Sequence, residues 1–308
     1  MKIFHSINDF LITKKTILTL GTFDGVHIGH KKILHKLTQN TPNEEYESVV
    51  LTFFPHPRMV LQEDSNIKLL NTIKEKQELL EDIGIENLVI HPFDETFSQL
   101  TAEEFVKTVL VEKFHIQKII IGYDHRFGRN RTANIDDLID FGKQYGFDVA
   151  QISVQELNEI SVSSTKIRNA ILDGNMTLAN DYLGYSYFIT GTVITGKQLG
   201  RTIGFPTANI NIAENYKLIP PNGVYLVQAS INTQVVHGMM NIGTNPTVDG
   251  QAQSIEIHFL DFEANIYNQE LKISIVQRIR DEKKFNSLQD LQEQLQKDKV
   301  TAKEYFNK

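Results

Sequence analysis

Short apolar runs alternate with amphipathic stretches over the first 184 residues of this chain. The runs are brief and rich in branched residues, which is typical of strands buried on both faces of a sheet. The candidate strands are Ile17–Leu20, Val49–Phe54, Leu88–Ile90, Ile119–Ile121 and Val149–Ile152. The candidate helices between them are Lys31–Leu37, Ile73–Ile83, Ala102–Phe114 and Ile135–Tyr145. This alternation predicts an α/β domain with a parallel sheet, in which ligands bind at the carboxyl ends of the strands.

The pattern changes after residue 184 to strands separated by polar or glycine-containing turns. The candidate strands are Tyr187–Thr195, Val224–Ile231, Val235–Ile242, Ile255–Phe262 and Leu271–Val276. This spacing predicts an antiparallel barrel or sandwich. Apolar residues at helical spacing then predict a terminal helix; they are Phe285, Leu288, Leu291 and Leu295. We therefore expect two domains, residues 1–184 and 185–308, with no flexible linker between them.

Composition narrows the function classes. The 308 residues include 31 Lys and Arg against 38 Asp and Glu, for a net charge of −7, so the broad basic surface of a nucleic-acid-binding protein is not expected. Anionic substrates must be held by local groups. The chain has no cysteine, which excludes disulfides and cysteine metal sites. The N-terminus lacks the apolar run of a signal peptide, and no stretch is apolar enough to span a bilayer. We expect a cytoplasmic protein that does not bind membranes.

The segment Gly21–His30 follows the first predicted strand and is the first candidate site. Asp24-Gly25 is a turn signal, and the helix expected from about Gly29 presents backbone N–H groups that favour phosphate. The imidazoles of His27 and His30 are placed to donate hydrogen bonds to phosphoryl oxygens. An ordinary turn followed by surface histidines is the alternative. The glycines and the flanking strand and helix favour a nucleotide site.

The segment Ser163–Arg168 is a second candidate element in the same half of the chain. Its hydroxyl groups, on Ser163, Ser164 and Thr165, are suited to cap a helix. Lys166 and Arg168 would then lie near the positive end of that helix, where both can clamp a polyphosphate. Helix capping and phosphate binding use the same helix end and are compatible.

The second half carries its own candidate site at Gly196–Asn209. Three glycines and a basic pair are typical of a loop that closes over phosphates, although glycine loops are also common in barrels. Thr207 and Asn209 are two residues apart, so in an extended chain their oxygens point to one side and suit Mg²⁺. Glu256 alternates with apolar neighbours and should face outward. There it either lines a cleft or simply faces solvent.

These strings carry a family resemblance. His27–His30 and Ser163–Arg168 resemble the signature pair of the nucleotidylyltransferase superfamily. The longer strings Gly21–His30, Thr52–Pro57 and Phe127-Gly128 resemble the adenylyltransferase module of bacterial bifunctional riboflavin kinase/FAD synthetases. Further strings resemble the riboflavin kinase module of the same family; they are Gly200–Asn209, Asn222–Tyr225, Asn241–Pro246 and Glu256–Phe262.

The resemblance implies a Rossmann-like nucleotidylyltransferase domain with a parallel sheet, followed by an antiparallel β-barrel kinase domain with a terminal helix. It implies an enzyme that uses ATP and Mg²⁺ to convert riboflavin to FMN and then FMN to FAD. The residues it makes catalytic are His27, His30, Arg168 and Glu256, the last as the base for the riboflavin hydroxyl. Thr207 and Asn209 would bind Mg-ATP.

Further nucleotide or flavin contacts follow from the same resemblance. They are Gly21, Phe23, Asp24, Gly29, Asp124, Ser163, Ser164, Thr165, Gly200, Arg201 and Arg280. The resemblance places both Arg280 and Phe285 near the flavin. A position in a charged loop explains Arg280 nearly as well, and a position in the apolar core explains Phe285 nearly as well. His56, between two prolines, is either a site residue or a rigid turn residue.

Two rival functions remain open at this point. One is an adenylyltransferase that acts on another phosphorylated small molecule, with a barrel that serves only structure. The other is a flavin-binding regulatory protein that has kept the pockets and not the turnover. The combination of His27, His30, Arg168 and Glu256 argues against the second rival, because binding alone does not need all four.

Overall fold

The chain forms two compact units, residues 1–163 and 164–308. The structure is a computed structural model that describes residues 1–11, 13–41, 45–61, 66–122, 125–152, 162–196, 198–247 and 250–307. Residues 164–183, which follow Ser163 of the predicted helix cap, belong to the second unit. The domain boundary at residue 184 stays a prediction.

The first unit alternates strands and helices as the apolar pattern predicts. Its elements are β1 (Lys2–Phe4), β2 (Lys15–Leu20), α1 (Ile28–Gln39), β3 (Tyr46–Phe53), α2 (Pro57–Leu61), α3 (Ile73–Asp82), β4 (Asn87–His91), α4 (Glu95–Ser98), α5 (Ala102–Glu104), β5 (Ile116–Gly122), α6 (Ile135–Tyr145) and β6 (Asp148–Ile152). A π-helix, Phe105–Val111, continues α5. The predicted helix from Ala102 is therefore present, but most of it is π-helical.

The first unit contains a six-stranded sheet in the order β1-β4-β3-β2-β5-β6. Each neighbouring pair is parallel, which confirms the predicted parallel sheet. The central strand β2 has β3 on one side and β5 on the other, so the strand order reverses there. In open parallel sheets, ligands bind outside the carboxyl ends of the strands at such a reversal. Gly21, the first residue after β2, lies at this point.

The second unit contains a closed antiparallel barrel in the order β10-β11-β8-β7-β12-β9. Of the two predicted architectures, the barrel is therefore confirmed. The elements are α7 (Ser164–Leu172), α8 (Met176–Leu183), β7 (Phe188–Ile194), α9 (Leu199–Thr202), β8 (Ala208–Asn211), β9 (Gly223–Ile231), β10 (Gln234–Thr247), β11 (Gly250–Phe259), β12 (Glu270–Arg280) and α10 (Leu288–Phe306). The predicted terminal helix is α10.

Helices cover the outside of the barrel. Leu291, Leu295 and Phe306 of α10 pack against an apolar cluster that includes Phe205 and Leu260. On the other side of β12, Asn180 of α8 donates to the carbonyl oxygens of residues 275 and 276, at 3.1 and 3.2 Å. Helix α10 therefore covers part of the barrel surface with apolar side chains, and α8 is hydrogen-bonded to the backbone of β12.

The packing of α1 against the sheet should contribute substantially to the stability of the first unit. Leu34 on α1 is fully buried, whereas Leu61 at the end of α2 is 58% exposed. We expect Leu34→Ala to lower the free energy of unfolding by about 2–5 kcal/mol, because it removes buried methyl groups and leaves a cavity. Leu61→Ala should change it by less than about 0.5 kcal/mol. Urea unfolding followed by circular dichroism measures both, and equal effects would contradict the packing described here.

Candidate active sites

The turn that follows β2 is hydrogen-bonded to the segment that leads into α3 and to α3 itself. The buried carboxylate of Asp24 accepts hydrogen bonds from the N–H groups of Leu70 and Asn71, at 2.9 and 3.4 Å. Lys76 on α3 donates from Nζ to the carbonyl oxygen of Thr22 at 2.6 Å. Asp24 was predicted as a nucleotide contact, and the structure gives its carboxylate a role in holding the turn.

Two residues of this turn have strained backbones. Phe23 has a φ of 45° and Val26 has a φ of 35°, and both side chains are buried. Positive φ is uncommon outside glycine, and for a β-branched residue such as valine it is a genuine outlier. Strain of this kind persists only where the surroundings fix it, and it clusters at functional sites. The backbone therefore marks this turn as a site independently of its histidines.

The two histidines of the turn form one unit with the start of α1. His27 is the N-cap residue, and its Nδ1 accepts a hydrogen bond from the N–H of His30 at 3.3 Å. The two rings stack with centroids 3.6 Å apart and planes 16° apart. A Cβ on Gly29 would lie 3.3 Å from the His27 ring, so glycine at this position lets the ring lie over the helix start.

Both histidines are electrically neutral near pH 7. Burial lowers the pKa of His27 to about 4. Burial lowers the pKa of His30 well below its usual range, and electrostatic interaction with the neighbouring His27 and with Lys76 lowers it further. Because Nδ1 of His27 accepts a hydrogen bond, the single proton of its neutral ring is on Nε2, which is therefore a donor. Nδ1 of His30 is buried and has no hydrogen-bond partner among the described residues.

The predicted second element of this site begins where the first unit ends. Ser163 is exposed, and Ser164 and Thr165 lie in the first turn of α7, so the expected helix is present. Arg168 is half-buried on α7, in the second unit. Its participation in one site with His27 and His30 stays a prediction.

Two further predicted residues have simpler outcomes. His56 is buried, and its Nδ1 accepts from the N–H of Arg58 at 3.1 Å, as a turn residue does. Asp124 lies outside the described residues, so its predicted contact with nucleotide or flavin stays a prediction.

In the second unit, Thr207, Asn209 and Glu256 come together between two paired strands. Asn209 on β8 is the register partner of Glu256 on β11. Thr207 immediately precedes β8, and its hydroxyl donates to Oε2 of Glu256 at 3.2 Å. Glu256 is half-buried, so the open alternative of a fully solvent-facing glutamate does not hold. One carboxylate thus lies beside two neutral oxygen ligands.

The glycine-rich loop after β7 folds directly against this site. A Cβ on Gly196 would lie within 2.1–2.6 Å of the side-chain atoms of Asn209, and a Cβ on Gly200 would lie 2.2 Å from the carbonyl oxygen of Phe205. A larger residue at position 196 would displace the Asn209 side chain, and one at position 200 would require the backbone at Phe205 to move. Arg201 is exposed on the short helix α9. The sequence predicted this loop as a phosphate cover and did not anticipate its contact with Asn209.

His258 is a residue near this site that sequence reasoning did not single out. Its Nδ1 lies 2.9 Å from the carbonyl oxygen of Pro206, and because a carbonyl oxygen only accepts, Nδ1–H is the donor. The ring also contacts Phe205 edge to face, with centroids 5.1 Å apart. His258 thereby holds the backbone immediately before Thr207. Its position two residues after Glu256, on the same strand face, was the available signal.

The structure gives Arg280 a partner within the protein. Its guanidinium forms a two-pronged ion pair with the buried carboxylate of Asp298 on α10, with N–O distances of 3.0 and 2.7 Å. Arg280 therefore joins β12 to the terminal helix, and its predicted flavin contact stays untested. Phe285 is half-buried, with the Lys283 ammonium 5.8 Å from its ring centre.

No group of three or more His, Cys, Asp or Glu side chains in the described part of the chain is arranged to hold a metal ion. Within the same residues, no helix is both long enough and apolar enough to cross a membrane.

Two known families match the chain, one in the half that carries the histidine turn and the other in the half that carries the barrel site. The sequence model of the FAD synthetase family matches residues 10–166, which include the histidine turn. The model of the riboflavin kinase family matches residues 183–306, which include Thr207, Asn209 and Glu256.

Individual relatives match over nearly their whole length. The bifunctional riboflavin kinase/FMN adenylyltransferase of Bacillus subtilis (strain 168) is 37% identical over 300 residues, which cover 95% of this chain and 93% of the relative. The protein of the same name from Escherichia coli (strain K12) is 35% identical over 291 residues, which cover 94% and 92%. A solved structure called a macrolide-efflux protein, from Streptococcus pneumoniae, is 30% identical, with a TM-score of 0.89 and 98% of each chain covered.

The burial of His27 should make the stability of the first unit depend on pH. Its pKa is about 4 in the folded chain and 6.5 when unperturbed, so the unfolded state takes up the proton first as pH falls. We expect the free energy of unfolding to be highest above pH 6.5 and to decrease as pH falls from 6.5 towards 4. NMR titration of the His27 ring, with the urea-unfolded chain as control, checks the cause. A folded-state pKa near 6.5 would contradict it.

Proposed function

The chain belongs to the bifunctional riboflavin kinase/FMN adenylyltransferase family, and from this premise we propose how its residues perform the two reactions. The barrel site transfers the γ-phosphoryl group of ATP to riboflavin and produces FMN. The histidine turn then joins FMN to the adenylyl group of a second ATP and produces FAD and pyrophosphate. The observation that supports this best is that each unit carries its own assembled set of reactive groups.

In the kinase step, Glu256 is the general base. The riboflavin hydroxyl oxygen bonds to the γ-phosphorus of ATP, the bond to ADP breaks, and the hydroxyl proton passes to the carboxylate. Thr207 donates to Oε2 of Glu256, which fixes the carboxylate and leaves Oε1 as the proton acceptor. Gly196, at the start of the glycine-rich loop, lies against the Asn209 side chain, and the loop covers the phosphates.

The same residues are suited to hold Mg²⁺. The Thr207 hydroxyl and the Asn209 amide offer neutral oxygen ligands, which suit Mg²⁺ shared with ATP phosphates, and Asn209 is the register partner of Glu256. Thr207 and Asn209 would hold the ion together with oxygens of the ATP phosphates. When bound, it neutralises phosphate charge as the phosphoryl group moves.

In the adenylyl-transfer step, positioning and charge stabilisation supply most of the catalysis. An FMN phosphate oxygen attacks the α-phosphorus of ATP, and the bond to pyrophosphate breaks; the attacking phosphate is already ionised and needs little base. Nε2–H of His27 donates to phosphoryl oxygens at the start of α1, where the helix dipole also favours negative charge. His30 and Arg168 add to this stabilisation.

Several narrower assignments belong to the same proposal. The domains are residues 1–184 and 185–308, and the substrates are riboflavin, FMN and ATP. Gly21, Phe23 and Gly29 shape the first nucleotide site, and Gly200 and Arg201 contribute to the second. The proposal also keeps the cytoplasmic location that the sequence predicts.

The rival with a purely structural barrel is disfavoured by one contact. A barrel that served only structure would not need a half-buried carboxylate paired with Thr207 beside Asn209. Riboflavin-dependent consumption of ATP separates the two functions.

Removal of the Glu256 carboxylate should affect one reaction alone. We expect Glu256→Gln to reduce riboflavin phosphorylation by on the order of a hundredfold or more, because general-base catalysis contributes about that much. FMN adenylylation by the same variant should be unchanged, since its site is formed elsewhere. Glu263→Gln, at an exposed position after β11, is the matched control. Chromatography of FMN and FAD measures both rates, and equal loss of both in a folded variant would refute separate sites.

Removal of the His30 ring should produce the opposite pattern. We expect His30→Ala to lower FMN adenylylation by on the order of a hundredfold, because a charge-stabilising donor is lost. Riboflavin phosphorylation should be unaffected. His35→Ala removes an exposed histidine from the same helix and should leave both rates unchanged. Normal FAD formation by His30→Ala would remove the histidine pair from the mechanism.

A further inference from the structure

Lys76 is a buried cation that contacts the histidine turn, and the proposed mechanism does not use this residue. It lies on α3 and is only 3% exposed, although lysine is almost never fully buried unless it is paired. Its Nζ donates to the carbonyl oxygen of Thr22 at 2.6 Å. Thr22 is the second residue after β2, so the contact is made where the turn begins.

The negative charge that faces Lys76 belongs to Asp24. Burial lowers the pKa of Lys76 to about 8. The negative charge of Asp24, which is 1% exposed, opposes part of that decrease. Lys76 is therefore mostly protonated at pH 7. Glu75, the adjacent buried acid on α3, has its own role, because its carboxylate accepts from the N–H of Thr72 in the helix cap. Lys76 and Asp24 thus compensate each other's charge inside the protein.

The same segment therefore holds the turn at two points. Residues 70 and 71 donate to Asp24, and Lys76, shortly after them in sequence, donates to Thr22. The positive charge of Lys76 also acts on His30 and disfavours its protonation. Both effects favour a fixed turn with neutral imidazoles.

We propose that Lys76 is a positioning residue for adenylyl transfer: its ammonium group anchors the Thr22 carbonyl and balances the charge of Asp24, so that the turn holds His27 and His30 in place at the start of α1. This inference rests on the proposed adenylyltransferase function of the turn. Lys76 itself does not contact the substrates.

The first test is kinetic. Lys76→Met keeps most of the buried stem and removes the charge, and we expect FMN adenylylation to fall on the order of a hundredfold, as small misplacements of reacting groups do. Riboflavin phosphorylation by the same polypeptide should be unchanged, which also shows that the variant is folded in its second unit. Lys74→Met, at an exposed position on the same helix, should behave like the wild type.

The second test separates positioning from packing. Lys76→Met removes a positive charge that lowers the pKa of His30, so the pKa of His30 should rise in an NMR titration. Lys76→Arg keeps the charge and should retain a lower His30 pKa than Lys76→Met. The double variant Asp24→Asn/Lys76→Met keeps a side-chain oxygen that can accept from Leu70 and Asn71, and it removes the charge that Lys76 balances. We therefore expect it to recover part of the lost adenylylation rate.

The outcomes are distinguishable from failure of the proposed function. If the wild type does not adenylylate FMN, the function fails, and the histidine titration still tests the role of Lys76. A Lys76→Met variant with a wild-type rate overturns the inference. So does a slow variant whose histidine pKa values stay unmoved and whose double variant shows no recovery, because loss of packing alone would then explain the rate.

Discussion

The hydrogen bonds that the buried Asp24 carboxylate accepts from Leu70 and Asn71 hold the first site in place. They fasten the turn after β2 to the segment that starts α3, and they allow Phe23 and Val26 to keep positive φ angles. His27 can then cap α1 with its ring stacked on His30. We therefore expect that loss of this anchor would relax the turn and separate the histidine pair.

The barrel reaches a comparable arrangement by strand pairing. Register between β8 and β11 sets Asn209 opposite Glu256, and the Thr207 hydroxyl and the His258 ring fix the segment just before β8. Gly196 then lets the following loop lie on Asn209. The paired histidines lie in the first unit, and Thr207, Asn209 and Glu256 lie in the second, so one chain carries two separate groups of reactive side chains.

The sequence predicted the central strands, most of the helices, the turn that carries His27 and His30 and the group of Thr207, Asn209 and Glu256, because periodic burial and long motifs leave local signals. The role of Arg168 in the first site stays a prediction. The sequence missed β1, since three residues at a sheet edge carry no period, and it missed the π-helical form of Phe105–Val111, since apolar spacing over two turns does not distinguish the helix types. Contacts between distant residues were also missed. The Lys76–Thr22 bond, the His258–Pro206 bond and the Arg280–Asp298 pair each join segments that the sequence alone cannot place together.

The most direct test of the central claim is a time course of the purified chain with riboflavin, ATP and Mg²⁺, followed by chromatography of the flavins. Two sites that act in sequence predict that FMN appears first and that FAD follows, with pyrophosphate released in step with FAD. Supplying FMN in place of riboflavin should yield FAD without a lag. Riboflavin that stays unphosphorylated, or FMN that is never converted to FAD, would contradict the account.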